Sequence, residues 1–159
     1  MLTTTLLRPT RVDIIFDCYI GDDSIKAVTW SKRAGKKKSI RRIIDGPYVP
    51  IPQVWRNFIA LDDHKADLAR YLSETMMEKG KDLPKQYDMV TGGGIANATD
   101  ARSTRRDNVR LHGSYEEADT RLILHSCEVV HEGYERVVVI CSDTEVMLLL
   151  LHFMPTKVA

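Results

Sequence analysis

The sequence has little cysteine and no two cysteines at metal-ligand spacing: Cys18, Cys127 and Cys141 stand singly along 159 residues. An odd, scattered set argues against both a disulfide framework and a zinc knuckle. Long apolar runs are also lacking. The strongest, Val137–Cys141 and Val146–Leu151, fall far short of the roughly 20 residues needed to span a bilayer. The opening MLTTTLL has neither the basic start nor the long apolar stretch of a signal peptide, which points to an intracellular protein. The five histidines are dispersed, as expected of isolated surface or core residues rather than a metal cluster. The glycines at 92–94 lack the GK[ST] ending of a phosphate loop, so P-loop nucleotide binding is not expected. What is present, 43% hydrophobic and 28% charged residues, is ordinary for one globular domain and unlike a disordered chain.

The net charge of +1 conceals a strong local bias. SKRAGKKKSIRR (31–42) holds seven basic residues and no acid: Lys32, Arg33, Lys36, Lys37, Lys38, Arg41 and Arg42. A second basic stretch, ARSTRRDNVR (101–110), contains Arg105 and Arg106. Such runs suit contact with a DNA or RNA backbone, because neutralising phosphates releases counterions and gives affinity without sequence preference. A solvated loop or a nuclear-import signal explains the same composition.

Periodicity divides the chain. VDIIFD (12–17) reads as a buried strand ending on a carboxylate. Asp22 or Asp23 is placed to cap a following helix through SIKAVTWSKR. Residues 31–52 form a basic and then proline-rich loop, closed by DGPYVPIP. Phe58, Leu61, Leu68, Leu72 and Met76 recur at helical spacing, predicting two helices with a break near Asp62–Asp63 and closure at Gly80. YDMVT (87–91) reads as a strand, 92–113 as a long arginine-rich loop, and Ser114 or Tyr115 to about Val130 as a helix. RVVVICSD (136–143) reads as a strand buried on both faces, and TEVMLLLLHF as an apolar helix ended by Pro155. The alternation predicts an α/β fold with a mostly parallel sheet flanked by helices.

Parallel sheets gather functional groups at the carboxyl ends of their strands. Asp17 and Asp143 fall there, and Glu145 opens the last helix. Glu116, Glu117 and Asp119 open the helix before it. Such a cluster suits a hard divalent cation such as Mg²⁺ or Mn²⁺, which prefers oxygen ligands. Ser114-x-x-Glu117 also matches a capping box, with Glu116 and Asp119 complementing the helix dipole. On a regular helix Glu117 and Asp119 lie about 200° apart, so they share a pocket only if Glu117 sits at the cap or first position. Capping and metal binding both remain open on these residues.

The stretch YEEADTRLILHSCEVVHEGYERVVVICSDTEVMLLL resembles the internal acidic region of the flap-endonuclease and XPG-like nucleases of the PIN-like superfamily. VDIIFDCY, followed by Ser24, Ile25, Lys26 and the basic run, is similar to that family's Phe-Asp-Gly strand and basic helix. The chain also resembles uncharacterised animal proteins that carry EEADTR and DTDV motifs. The resemblance covers about two-thirds of the chain and implies a single three-layer PIN-like domain. Its function would be metal-dependent, structure-specific phosphodiester hydrolysis, with Mg²⁺ or Mn²⁺ as cofactor. It implies Asp17, Glu117, Asp119, Asp143 and Glu145 as catalytic metal ligands and Glu116 as a cap or outer neighbour. Arg121 would face phosphate or pair with a carboxylate. Lys26, Lys32, Arg33, Lys36, Lys37, Lys38, Arg41, Arg42, Arg105 and Arg106 would hold nucleic acid. Cys18 and Glu145 replace the family's usual glycine and aspartate. MLTTTLLRPT supplies no acid-bearing first strand, and the sequence stops at Ala159 before the family's helical region. The expectation is therefore an incomplete domain, either an active nuclease or an inactive scaffold that binds nucleic acid or protein.

Overall fold

The computed structural model describes residues 9–18, 41–50, 52–95, 97 and 99–154. The expected helix after Asp22 or Asp23 lies outside them. Within them the architecture is mixed α/β: β1 (Arg11–Ile15), α1 (Trp55–Phe58), α2 (Asp62–Lys81), β2 (Asp88–Gly92), β3 (Ala101–Ser103), α3 (Ala118–His131) and α4 (Thr144–Phe153), with a 3-10 turn at Val109–Leu111. The sheet has the order β1-β2-β3. β1 runs parallel to β2, from Arg11 opposite Asp88 to Ile15 opposite Gly92. β3 is antiparallel to β2, with Val90 opposite Ser103.

Two sequence expectations need correction here. The long loop 92–113 contains β3 and the 3-10 turn, so the sheet is mixed rather than mostly parallel. Glycines 93 and 94, with φ of 71° and 62°, open the reversal that brings the chain back beside β2; only glycine adopts that region readily. The run 136–141 forms no strand. Its β-branched residues have the right propensity, but no described strand hydrogen-bonds to it, and Ile140 is left 91% exposed. Strand propensity without a partner ladder does not make a strand.

Helices cover both faces of β2. Val90 packs with Ala101, Leu111 and Leu124 of α3. Met89, pointing the other way as successive strand residues must, meets α2 at Gly80, where an added Cβ would lie 3.2 Å from the Met89 Cβ and 2.7 Å from Thr104. Gly80 therefore does not close α2, which runs on to Lys81. Its role is to let the helix approach the sheet.

The break between α1 and α2 falls at residues 59–61, just before the expected position. Asp62 and Asp63 then sit in the first turn of α2, where they complement the helix dipole. His64 stacks on Phe58 with ring centroids 4.1 Å apart. Its Nε2 accepts the Arg42 amide at 2.8 Å, which leaves Nδ1 to donate to the Phe58 carbonyl at 2.7 Å. One imidazole thus ties the irregular 41–50 segment to the helical layer.

Candidate functional site

The end of β1 is pinned to the start of α3. Phe16 N–H donates to the Gly92 carbonyl at 2.8 Å, and Cys18 N–H donates to the Glu116 carbonyl at 2.9 Å. Between them, Asp17 Oδ1 accepts the Ala118 amide at 2.8 Å. Asp17 is therefore a cap for α3 supplied from 101 residues away. The Ser114–Glu117 capping box does not form, because the helix begins at Ala118 with Glu117 as its extended N-cap residue, three positions beyond Ser114. The first helical amide, that of Ala118, is met by a distant carboxylate instead. Glu117 also stands outside the helical turn, which removes the angular objection to its sharing a pocket with Asp119.

Asp143 plays the equivalent part for α4, accepting the Glu145 amide at 2.9 Å. α3 and α4 pack against each other. The Asp119 carboxyl is pushed above the ordinary carboxylate range by partial burial and then by the charges of Asp143, Asp17, Glu117 and Glu145. All five carboxylates expected from the resemblance are thus within electrostatic reach of one point, although they come from three separate segments. Each helix start also contributes backbone amides that favour anions.

The donor set has the chemistry of a hard-cation site. Among the described residues, however, no three His, Cys, Asp or Glu side chains are placed to ligate one ion. A bound Mg²⁺ would have to take one or two of these carboxylates and complete its shell with water and substrate phosphate. The placement does not fit an all-protein cage.

Arg121 is turned into the protein toward two backbone carbonyls. Its side chain is 1% exposed, and it donates from Nε to the Tyr115 carbonyl at 2.8 Å and from a terminal nitrogen to the Gly113 carbonyl at 3.0 Å. The arginine of the EEADTR motif therefore shapes the loop that delivers Glu116 and Glu117. Cys18 is buried beside it. Burial raises the Cys18 thiol pKa, against an opposing effect of the Arg121 charge.

Of the basic residues expected to hold nucleic acid, Lys26, Lys32, Arg33, Lys36, Lys37 and Lys38 lie outside the described residues. The others have internal partners. Arg41 pairs with Asp63 and Asp67, and Arg42 reaches the Pro50 carbonyl at 3.2 Å. Arg105 donates to the carbonyls of Tyr87 and Leu83 at 2.8 and 2.6 Å. Arg106 pairs with Glu132 and Asp88.

A second charged group escaped the sequence reading. Arg11 grips Asp13 with two nitrogens at 2.7 and 2.8 Å and reaches Glu132, the C-cap residue of α3, at 2.7 Å. Asp13 Oδ2 lies 2.7 Å from His125 Nδ1. Burial opposes ionisation of Asp13, but the bonds from His125 and Arg11 prevail and hold its pKa below the ordinary range. His125 Nδ1 must then be the donor, and Nε2 has no hydrogen-bond partner among the described residues. A Cβ on Gly92 would come within 2.6 Å of that nitrogen. The alternation of Arg11, Asp13 and Ile15 was visible in the sequence, but the partner histidine was not.

No family model, curated protein or solved structure matches this chain.

Proposed function

We propose that the chain is a PIN-like, metal-dependent nuclease domain of the flap-endonuclease and XPG-like kind, acting on DNA or RNA phosphodiesters. The observation that carries this reading is the gathering of Asp17, Glu117, Asp143 and Glu145 around Asp119, with the Asp119 carboxyl pKa raised by burial and by all four. Repulsion of that kind is unfavourable for a scaffold and is relieved by a bound cation. Helices on both faces of β2 support the three-layer arrangement.

A bound Mg²⁺ or Mn²⁺ would supply a water of lowered pKa and neutralise phosphate charge. One or two of Asp119, Asp143, Glu145 and Glu117 would hold it directly, and the others would act through its bound waters. Asp17 would position α3 through Ala118 while adding its charge to the rim. The basic segment 31–42 would contact the nucleic-acid backbone.

A second reading, an inactive PIN-like scaffold that binds nucleic acid or protein, is favoured by one observation. Asp17 and Asp143 each already hold a helix amide. Cleavage of single-stranded and flap-bearing DNA and RNA, with chelator and with Mn²⁺, separates the readings. The nuclease reading requires metal-dependent cleavage that Asp119→Asn abolishes while the variant still melts cooperatively. Binding without cleavage by the parent would leave only the scaffold.

A further inference from the structure

We infer that a second copy of this chain covers the segment 137–141 and the adjoining face of α4. Val137, Val138, Val139 and Ile140 are the most strand-prone run in the sequence. Burial alternates along them, with Val137 and Val139 half-buried and Val138 and Ile140 exposed, the pattern of an extended strand. Among the described residues, no backbone group of 137–141 takes part in a hydrogen bond. An extended apolar edge with open donors and acceptors is a template for another strand.

The neighbouring helix has the same character. Val146 is fully buried, while Met147, Leu148 and Leu151 share one exposed arc, with Leu151 72% exposed. Together with Val138, Ile140 and Phe153 they offer on the order of 700 Å² of apolar residue surface, close to the ~800 Å² per partner of a standard interface. Between Glu145 and His152 the helix carries no ionisable side chain, so its face has no charge for a dissimilar partner to complement. A two-fold axis instead matches the run with itself.

Antiparallel self-pairing centred on Val139 sets Val138 opposite Ile140 of the second copy and Val137 opposite its Cys141. These are cross-strand pairs dominated by β-branched residues, which favour pairing. The same register sets Glu135 opposite Asp143. Like charges there oppose extension of the ladder beyond 137–141.

Sedimentation equilibrium of the full chain across a micromolar concentration series tests the inference. The parent should be a reversible dimer. Ile140→Lys and Leu148→Glu should be monomeric while keeping the parent's circular dichroism, since both positions are exposed. Glu135→Lys should tighten the dimer roughly threefold or more, because it exchanges two like-charge pairs for two attractive ones. This last variant reads the register even if one of the others fails to fold. A parent that stays monomeric, a dimer indifferent to Ile140→Lys and Leu148→Glu, or a dimer that Glu135→Lys leaves unchanged would each overturn the inference.

Discussion

Replacing Asp17 in two ways separates its roles as helix cap and as a member of the acidic rim. Asp17→Ala removes both the acceptor for the Ala118 amide and the charge acting on Asp119. Loss of a cap costs about 1 kcal/mol, within a range of about 0.5–2. For a domain of this size that is roughly a 2–4 °C fall in melting temperature. Asp17→Asn keeps an oxygen to accept the amide and removes only the charge, so in chelator at neutral pH it should melt no lower than the parent. If the cluster binds Mn²⁺, metal at about 100 times its dissociation constant adds about 2.7 kcal/mol, roughly 5–10 °C for the parent. Both variants should gain less, because each has lost one of the charges that draw the ion. Thermal melts of the three proteins, with chelator and with Mn²⁺, read both effects. Equal melting of Asp17→Asn and Asp17→Ala would refute the cap. A parent melting temperature unmoved by Mn²⁺ would refute the metal site.

Asp119 gives a pH signature: its pKa is raised on folding, so in chelator the parent should lose stability as pH climbs from the ordinary carboxylate range through the raised value. Denaturant melts should show Asp119→Asn without that slope, and Mn²⁺ should flatten it in the parent. Asp13 has the opposite sign, with a depressed pKa, so its contribution should be complete above the ordinary range and vanish as pH falls below it. Asp13→Asn should reduce the acid-limb slope in pH-dependent unfolding. Gly92→Ala should destabilise by about 1–3 kcal/mol, because the methyl would overpack against His125; urea unfolding measures this. Arg121→Lys should cost about 2 kcal/mol or more in the same assay, since an ammonium cannot reproduce the fork that reaches the Gly113 and Tyr115 carbonyls. Replacing Lys36, Lys37 and Lys38 together by alanine should reduce the salt slope of duplex DNA binding by roughly 2–3, with no change in sequence preference.

The stretch GSYEEADTR shows where local sequence stops being sufficient. Its acids and helical periodicity announced a helix start, and the helix is there. The capping box was also legible, but the helix starts three residues later than the box requires, and its first amide, that of Ala118, is met by Asp17 from a distant strand end. Arg121 was equally beyond reach, because an arginine beside three acids suggests pairing on the surface. Only the folded loop shows two carbonyls aimed at its guanidinium. β3 went unseen within a segment that lacks strand periodicity, since its three residues are held by the ladder to β2 rather than by propensity. The run 136–143 failed in the other direction, with ample propensity and no described partner.

The sequence by itself determined the elements whose signal is periodic and local: β1, β2 and the four helices to within a few residues, and the irregular proline-rich segment before α1. It also placed Glu117, Asp119 and Glu145 at helix starts and Asp17 just past β1, because such ends are written in neighbouring residues, whereas Asp143 was expected at a strand end and is the N-cap of α4. Tertiary structure alone decided that Asp17, Glu117, Asp143 and Glu145 come within electrostatic reach of Asp119. It also decided that Arg11, Asp13, His125 and Glu132 form a buried charged group beneath α3. The reason is physical: periodicity fixes which way a side chain points from its own element, whereas electrostatic reach and hydrogen bonding depend on which other elements come to lie against it.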